Sequence, residues 1–358
     1  MQDLCRSCSA ASTHCAAYDR VGDQEDSVST IHDVARRAGV SAATVSRVLN
    51  GQTEVSPDLT ERVRLAVEEL DYRRNAVARN LRRRGTTVWG VIIPDIGNPF
   101  FTAMVRGMED AAHEKGYSVV LCNSDENLEK ERRYVDVALD EQMAGVIIAA
   151  ASEADSDLSP LLDRDMPVVA VDRRLERVDV DTVMVDNARG AQVGTAHLLE
   201  QGCTRVACIT GPTRTTTAYQ RLQGFLDAHR ARGLEVDESL ILRQNFKEDG
   251  GRDGAHRLAS LDEPPDGLFV ANNLMTVGAL SALVDRDVKI PQDIALVGFD
   301  HLPWADLARP QLTTVAQPTY EMGREAGRAL SARIEGDTAL PRTIVLSPAI
   351  HVRESSIR

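Results

Sequence analysis

From Val88 onward, short apolar runs alternate with stretches of helical periodicity, and this alternation constrains the fold more than any other feature of the chain. VWGVIIP precedes a predicted helix from about Phe101 to Lys115, and YSVVLCN one from about Leu128 to Gln142. AGVIIAA, a short helix and PVVAVD follow. A second round begins near Asn187. It comprises a helix from Ala188 to Gln201, RVACIT, a helix from Leu222 to Arg232, a short strand around Leu240 to Leu242, and a helix from Gly250 to Ser260. GLFVAN, a helix from Ala271 to Asp285, and IALVGFD complete it. Apolar runs joined by helices make parallel sheets buried on both faces. Two rounds predict two similar doubly wound α/β lobes. Neither contains G-x-G-x-x-G or a P-loop sequence, so no nucleotide cofactor is expected.

A chain of 358 residues has room for more than one domain. Aromatic residues make up only 4%, so the cores must be mainly aliphatic. No apolar run approaches the roughly 18 residues of a membrane span, and the N-terminus lacks the pattern of a signal peptide. A cytoplasmic location and no membrane partner are expected. The net charge of −13 argues against a nucleic-acid binder until its distribution is considered. Residues 28–84 hold 11 Arg against 7 acids, residues 1–27 hold 2 Arg against 5 acids, and the remainder carries −14. A basic segment on an acidic body is the asymmetry of a small module that touches phosphates.

Cys122, Cys203 and Cys208 fall in or near strand-like runs and read as small core residues. Cys5, Cys8, His14 and Cys15 match no common zinc spacing, and no metal site is expected. Residues 1–27 are polar and aperiodic and are expected to be a disordered N-terminal extension. No G-x-S-x-G and no H-E-x-x-H occurs, and the eight histidines are scattered, so the chain is not expected to be an enzyme.

The basic segment opens with TIHDVARRAGVSAATVSRVLN, from Thr30 to Asn50. Thr30 and Asp33 have the spacing of a capping box, and Ile31, Val34, Ala35 and Ala38 share one helical face. Gly39 ends that helix, and Ser41 caps a second from Ala42 to Leu49 with Val45, Val48 and Leu49 inward. A third starts with Ser56 as cap and Pro57 in its first turn, and runs to about Leu70 with Val63, Ala66, Val67 and Leu70 inward. A helix, a tight turn and a second helix with a small, polar outer face present side chains to the major groove of DNA. The arginine-rich DYRRNAVARNLRRRGTT that follows is too short to bury a core. Its segment from Asn75 to Arg82 would be marginal as an isolated helix.

These segments, together with ELDYRRNAVARNLRRRGTTVWGVIIPDIGNPFF, NSDENLEKER and IALVGFDHLPWADLARPQLTTVAQP in that order, resemble the LacI family of bacterial transcriptional regulators. The resemblance runs from about Thr30 to the end. It implies an all-α helix-turn-helix headpiece at 28–72, a hinge helix and linker at 73–87, and an effector-binding and dimerisation core at 88–358. That core is of periplasmic-binding-protein type, with lobe 1 about 88–187 and 318–347, and lobe 2 about 188–317 and 348–358. It also implies a homodimer on a pseudo-palindromic operator in the nucleoid.

By the resemblance, Ala42, Ala43 and Arg47 occupy base-reading positions. Arg47 is able to bond two guanine acceptors at once, for roughly 1–3 kcal/mol of discrimination. Thr30, Ser41, Thr44, Ser46 and Asn50 fit the DNA-contacting face, several of them facing phosphates, which position the headpiece. Asn75, Ala78, Arg79 and Leu81 belong to the hinge, where the family wedges the leucine into a minor-groove base step.

Ligands of two-lobed α/β proteins bind between the lobes near strand ends. Candidates there are Phe100 and Phe101 after IIPDIGNP, Asp172 and Arg173 after PVVAV, Thr217 and Arg221 around the GPTRTTTAYQ loop, Phe246 in RQNF, Asn272 after GLFVA, and Asp300 after ALVGF. Aspartates accept from hydroxyls, a guanidinium donates in a fixed fork, an amide does both, and an aromatic face covers the apolar side of a sugar ring. A repressor controlled by a small sugar-like effector is the expected function. The alternatives are a carbon-catabolite-type regulator controlled by a phosphorylated carrier protein and a purine-responsive repressor. Purine-binding members carry an Arg and a Thr in the loop after Gly-Pro. Here Thr215 and Thr217 stand there, with Arg214 as a possible substitute. Asn273 stands where many members have Asp.

Overall fold

The computed structural model describes residues 29–49, 55–72 and 86–358. The expected extension at 1–27, and Asn50, Asn75, Ala78, Arg79 and Leu81 with most of the hinge, lie outside the described residues. Headpiece and core form two compact units.

In the headpiece, α1 (Ile31–Ala38), α2 (Ala42–Leu49) and α3 (Pro57–Glu69) enclose a core of Val34, Ala35, Ala38, Val45, Val63 and Ala66. Thr30 and Asp33 form the reciprocal capping box at the start of α1. Gly39 adopts φ 65°, a left-handed conformation that L side chains resist, and so lets the chain turn into α2. The Arg62 guanidinium pins the turn by donating to the carbonyls of Ala38 at 2.6 Å and Gly39 at 3.3 Å. Ser41 Oγ accepts from the Thr44 amide at 3.1 Å, as a cap does. Ser56, by contrast, makes no side-chain capping bond. Val48, Leu49, Val67 and Leu70 are only partly buried against the core.

The core begins with β1 (Val88–Ile93), α4 (Pro99–Glu114), β2 (Ser118–Asn123), α5 (Leu128–Asp140), β3 (Gly145–Ile148), α6 (Ser159–Leu162), β4 (Val168–Val171) and β5 (Asp181–Val185). It continues through α7 (Asn187–Glu200), β6 (Val206–Thr210), α8 (Thr216–Arg230), β7 (Ile241–Arg243), α9 (Glu248–Ala259), β8 (Gly267–Val270), α10 (Asn273–Asp285), β9 (Ala295–Phe299) and β10 (Thr313–Ala316). It closes with α11 (Thr319–Ile334), β11 (Thr343–Leu346) and β12 (Ala349–His351).

The strands form two six-stranded sheets ordered β11-β5-β4-β3-β1-β2 and β12-β10-β9-β8-β6-β7. The first is parallel throughout; in the second only β12 runs antiparallel, to β10. Central strands β3, β4, β8 and β9 are buried along their whole length, as unbroken apolar runs require. Cys122, Cys203 and Cys208 are buried free thiols.

The chain passes between the sheets three times: after Val185, after Ala316 and after Leu346. Each lobe therefore contains discontinuous pieces of sequence. In the first lobe the returning helix α11 packs on α4, and the two backbones nearly touch. A Cβ on Gly107 would stand 2.1 Å from the Tyr320 carbonyl oxygen, and one on Gly323 would stand 1.9 Å from that of Met104. Only glycine permits this approach, which fixes α4 and the phenylalanines at its first turn.

One expected boundary is corrected. Helix α8 begins at Thr216, not near Leu222, so Arg221 is in its second turn and not at the end of a loop. Three successive threonines are weak helix formers. Burial of Ala218, Arg221, Leu222 and Phe225 at helical spacing overrides that preference.

Candidate functional site

Two sites follow, one on each unit. On the headpiece, Arg47 and Ala43 are exposed on α2, while Ala42 is half-buried and leans on the core. Ser41 and Thr44 are joined by a 2.9 Å hydroxyl–hydroxyl bond at the exposed start of the helix. Thr30 is committed to its cap, donating to Asp33 at 2.6 Å. That bond, first among the causes, holds the Asp33 carboxyl below its usual range.

In the core, the ends of strands from both sheets surround a cleft of about 470 Å³, mouth included. All nine residues expected at an effector site line it: Phe100, Phe101, Asp172, Arg173, Thr217, Arg221, Phe246, Asn272 and Asp300. Asp95, Asn98, Glu126, Lys247, Leu274 and Gln317 line it as well.

The two aspartates are placed alike. Asp172 follows β4 with φ 65° and Asp300 follows β9 with φ 74°. Each amide still bonds as a strand residue would, Asp172 to Val183 and Asp300 to Val315, both at 2.9 Å. A non-glycine residue held in this left-handed region costs roughly 1–3 kcal/mol, and such outliers cluster at functional sites. Phe246, with φ 62°, is a third outlier in the same cleft. Its carbonyl accepts from Asn272 Nδ2 at 2.9 Å, and its ring lies where a Cβ on Gly211 would come within 2.1 Å. Asn272 also caps α10, accepting from the Met275 amide at 3.0 Å. At the first turn of α4, Asn98 accepts from the Phe100 amide, and the rings of Phe100 and Phe101 meet edge to face at 5.0 Å.

Two buried arginines supply the cations. Arg221 donates through Nε to Asn187 Oδ1 at 2.8 Å and through Nη1 to the Ala271 carbonyl at 2.6 Å. Its guanidinium lies 4.0 Å from the Phe299 ring centre and 3.9 Å from Asp300 Oδ2. Burial lowers its pKa, and Asp300 and Asp172 work against that. Arg173 donates to the Ala150 carbonyl and to Glu126, both at 3.0 Å. Burial pushes the Asp172 carboxyl upward, while Arg173 and Arg221 pull it back. Two buried polar atoms of the lining have no hydrogen-bond partner: the donor Arg173 Nε and the acceptor Gln317 Oε1. The Nε2 of Gln317 donates to Asp300.

Three polar contacts join the lobes around the cleft. Asn273 Nδ2 donates to Asn98 Oδ1 at 2.7 Å, Lys247 pairs with Asp95 at 2.9 Å, and the Thr216 amide donates to Glu153 at 2.7 Å. Asn273, which stands where many family members have Asp, is thus a buried cross-lobe donor. Arg214 is exposed and outside the lining.

Asn98, Glu126 and Gln317 do not stand out in the sequence, although they lie within IGNPFF, NSDEN and VAQP. Nothing in their local chemistry separates them from ordinary caps and surface groups. Among the described residues no cluster of His, Cys, Asp or Glu is arranged to hold a metal ion. No helix among them is long and apolar enough to cross a membrane.

A helix-turn-helix headpiece on a two-lobed, cleft-bearing α/β core defines a class of DNA-binding transcriptional regulators. Residues 30–75 match the family described as bacterial regulatory proteins, lacI family, and residues 195–356 match the periplasmic binding protein-like domain. The chain is 34% identical to the HTH-type transcriptional regulator DegA of Bacillus subtilis, over 91% of this chain and 98% of that protein. It is 38% identical to the ribose operon repressor of Halalkalibacterium halodurans, over 86% and 91%. Among solved structures, the transcriptional regulator CelR in complex with cellobiose superposes with a TM-score of 0.70 at 33% identity, covering 91% of this chain and 99% of that one. The protein belongs to the lacI family of bacterial regulators; it is a DNA-binding transcriptional regulator and not an enzyme.

Proposed function

We propose that the protein is a repressor whose grip on a pseudo-palindromic operator is set by a sugar bound between the two core lobes, and that it acts as a homodimer on nucleoid DNA in the cytoplasm. The observation that carries the effector class is two buried atoms of the cleft lining without a hydrogen-bond partner, the donor Arg173 Nε, which lies 3.7 Å from Asp172 Oδ2, and the acceptor Gln317 Oε1. A buried polar group left without a partner costs about 1–3 kcal/mol. A hydroxyl both donates and accepts, so a polyhydroxylated ligand satisfies both atoms, while Asp172 and Asp300 take further hydroxyl protons. Phe100, Phe101 and Phe246 offer the aromatic faces that a sugar ring covers. The name of the H. halodurans relative makes D-ribose the first compound to test. The exposure of Arg214 leaves the loop after Gly211-Pro212 without a cation in the cleft, which disfavours a purine.

The domain reading stands with this proposal: headpiece at 28–72, hinge at 73–87, and sensing and dimerising core at 88–358. So do the DNA contacts of Ser41, Ala43 and Arg47 and the minor-groove wedge of Leu81. Leu81→Ala is expected to weaken operator binding far more than binding to random DNA, and an equal loss on both would refute the wedge.

A thermal-shift screen of the full chain against sugars, polyols, sugar phosphates, nucleosides and nucleobases tests the effector. A ligand at about 100 times its Kd stabilises the native state by roughly 2.7 kcal/mol. A shift with one sugar, lost in Asp300→Ala, supports the reading; a response confined to purines overturns it. Binding to a phosphorylated carrier protein with no small-molecule response transfers the role to the catabolite-type alternative.

A further inference from the structure

Helix α8 carries Thr217 and Arg221 into the cleft, yet its own sequence does not cap it. Thr215 stands at the N-cap and makes no side-chain capping bond, and the first turn contains no acid. A helix start leaves backbone amides without partners and gains from a nearby negative charge. Here the charge comes from the other lobe. Glu153, in the segment after β3, accepts from the Thr216 amide at 2.7 Å and from the Thr216 hydroxyl. Glu153 is 7% exposed and is not part of the cleft lining.

The Glu153 segment is itself tied to the other buried arginine. Arg173 donates to the carbonyls of Ala150 and Ala151, and buried Glu131 accepts from the Ala151 amide at 2.7 Å. The Glu176 amide donates to the Glu153 carbonyl at 2.9 Å. One continuous path thus runs behind the cleft from Arg173 through residues 150–153 and the Glu153 carboxylate to the start of α8, and on to Arg221. Opening the lobes breaks it at one place, between Glu153 and Thr216.

We infer that Glu153 is a positioning residue for effector recognition: it holds the lobes closed by capping α8 across the cleft and so sets the register of Arg221 against Arg173 without touching the ligand. Closure leaves a buried carboxylate whose hydrogen-bond donors all come from Thr216, among the described residues. Such a charge has to remain paired or return to water. Burial pushes the Glu153 carboxyl upward and the Thr216 amide draws it back.

This inference rests on the sugar reading for its ligand but not for its closure. The test uses the full chain as wild type, Glu153→Ala and Glu153→Gln. Spin labels are introduced as non-canonical amino acids at exposed Arg132 in the first lobe and exposed Arg257 in the second. Pulsed-resonance distances are measured without ligand and with D-ribose, and ribose affinity by calorimetry. Losing a hydrogen bond to a charged group corresponds to a fall of about 10- to 100-fold in ribose affinity for Glu153→Ala. Glu153→Gln, which keeps an acceptor for the Thr216 amide, should fall between it and wild type. The ligand-free distance should lengthen in Glu153→Ala. An unchanged distance overturns the inference, even where the melting temperature drops, because a merely structural role lowers stability without opening the lobes. A longer distance with unchanged affinity overturns the coupling. Absence of a wild-type response to ribose tells against that sugar alone, and the ligand-free distances still decide the role of Glu153.

Discussion

Replacing Arg221 with alanine removes the most heavily engaged cation of the cleft. Its bonds at 2.8 Å to Asn187 and 2.6 Å to Ala271 each involve a charged donor, a class of bond contributing about 1.5–3 kcal/mol. The stack on Phe299 at 4.0 Å adds about 0.5–2 kcal/mol. Water entering the vacated space rehydrates Asn187 and Asp300 and recovers part of that sum. The net loss should fall near the 3–5 kcal/mol typical of breaking a buried ion pair. For a core of this size roughly 2–4 °C accompany each kcal/mol, so the core transition should drop by about 6–20 °C in scanning calorimetry. Ribose binding should fall at least about 100-fold, since two fork donors and the counter-charge to Asp172 and Asp300 disappear together. Arg221→Lys separates the two effects. It keeps the charge but loses the planar fork and the stack, so it should recover much of the stability and little of the affinity. Wild-type ribose affinity in Arg221→Lys, or a transition within about 2 °C of wild type in Arg221→Ala, would refute the reasoning.

Gly107→Ala forces a Cβ to within 2.1 Å of the Tyr320 carbonyl, so α4 and α11 have to separate; a loss of about 1–3 kcal/mol by urea titration is expected, with weaker effector binding because Phe100 and Phe101 move. Arg47→Ala should cost operator binding about 1–3 kcal/mol while leaving random-sequence binding nearly unchanged in a gel-shift competition; equal losses would reduce Arg47 to a phosphate contact. Thr30→Ala removes half of the capping box and should destabilise the headpiece by about 1 kcal/mol, seen as faster amide exchange at Asp33 and Val34 with the core unaffected. Burial holds the His229 imidazole below its ordinary value near 6.5 while Nδ1 faces the Phe225 carbonyl at 3.0 Å, so the unfolded chain takes up a proton that the folded chain refuses. Its contribution to stability is therefore complete above that value and is lost as the pH falls below it toward the folded pKa; His229→Gln should flatten the decline below a pH of about 6.5, and an unchanged slope would exclude the histidine as its source.

The headpiece was legible because its determinants are local. Thr30, Asp33, Gly39 and Ser41 act within a few residues of themselves, and the structure finds them in the cap and turn roles their spacing implies. The fully buried strands were legible for a similar reason, since an unbroken run such as GVII has few alternatives. Strand β5 was not recognised: DTVMV begins with an aspartate that reads as a surface residue. In the fold Asp181 is buried because Arg333 and Arg342, far along the sequence, converge on it. The start of α8 was misplaced because its helical state depends on packing that its threonines do not announce. In the cleft, side chains with a distinctive chemistry at strand ends were picked out, whereas Gln317 and Glu153 were not. Their roles come from which lobe faces which, and that is decided by topology and not by their neighbours in sequence.

The three passages of the chain between the lobes have a consequence for how the protein is made. The three described headpiece helices end at Glu69, but the first sheet lacks its last strand until residue 346 is available, and the second until residue 351. At typical ribosomal speeds of roughly 5–20 residues per second, the chain grows for about 8 to 32 seconds after β5 before β11 can join it. During that interval a nascent polypeptide already bears a DNA-binding module while neither half of its sensor is complete. Truncation between β10 and β11 would remove material from both halves at once, so a ribosome that stops there yields a headpiece without a working sensor.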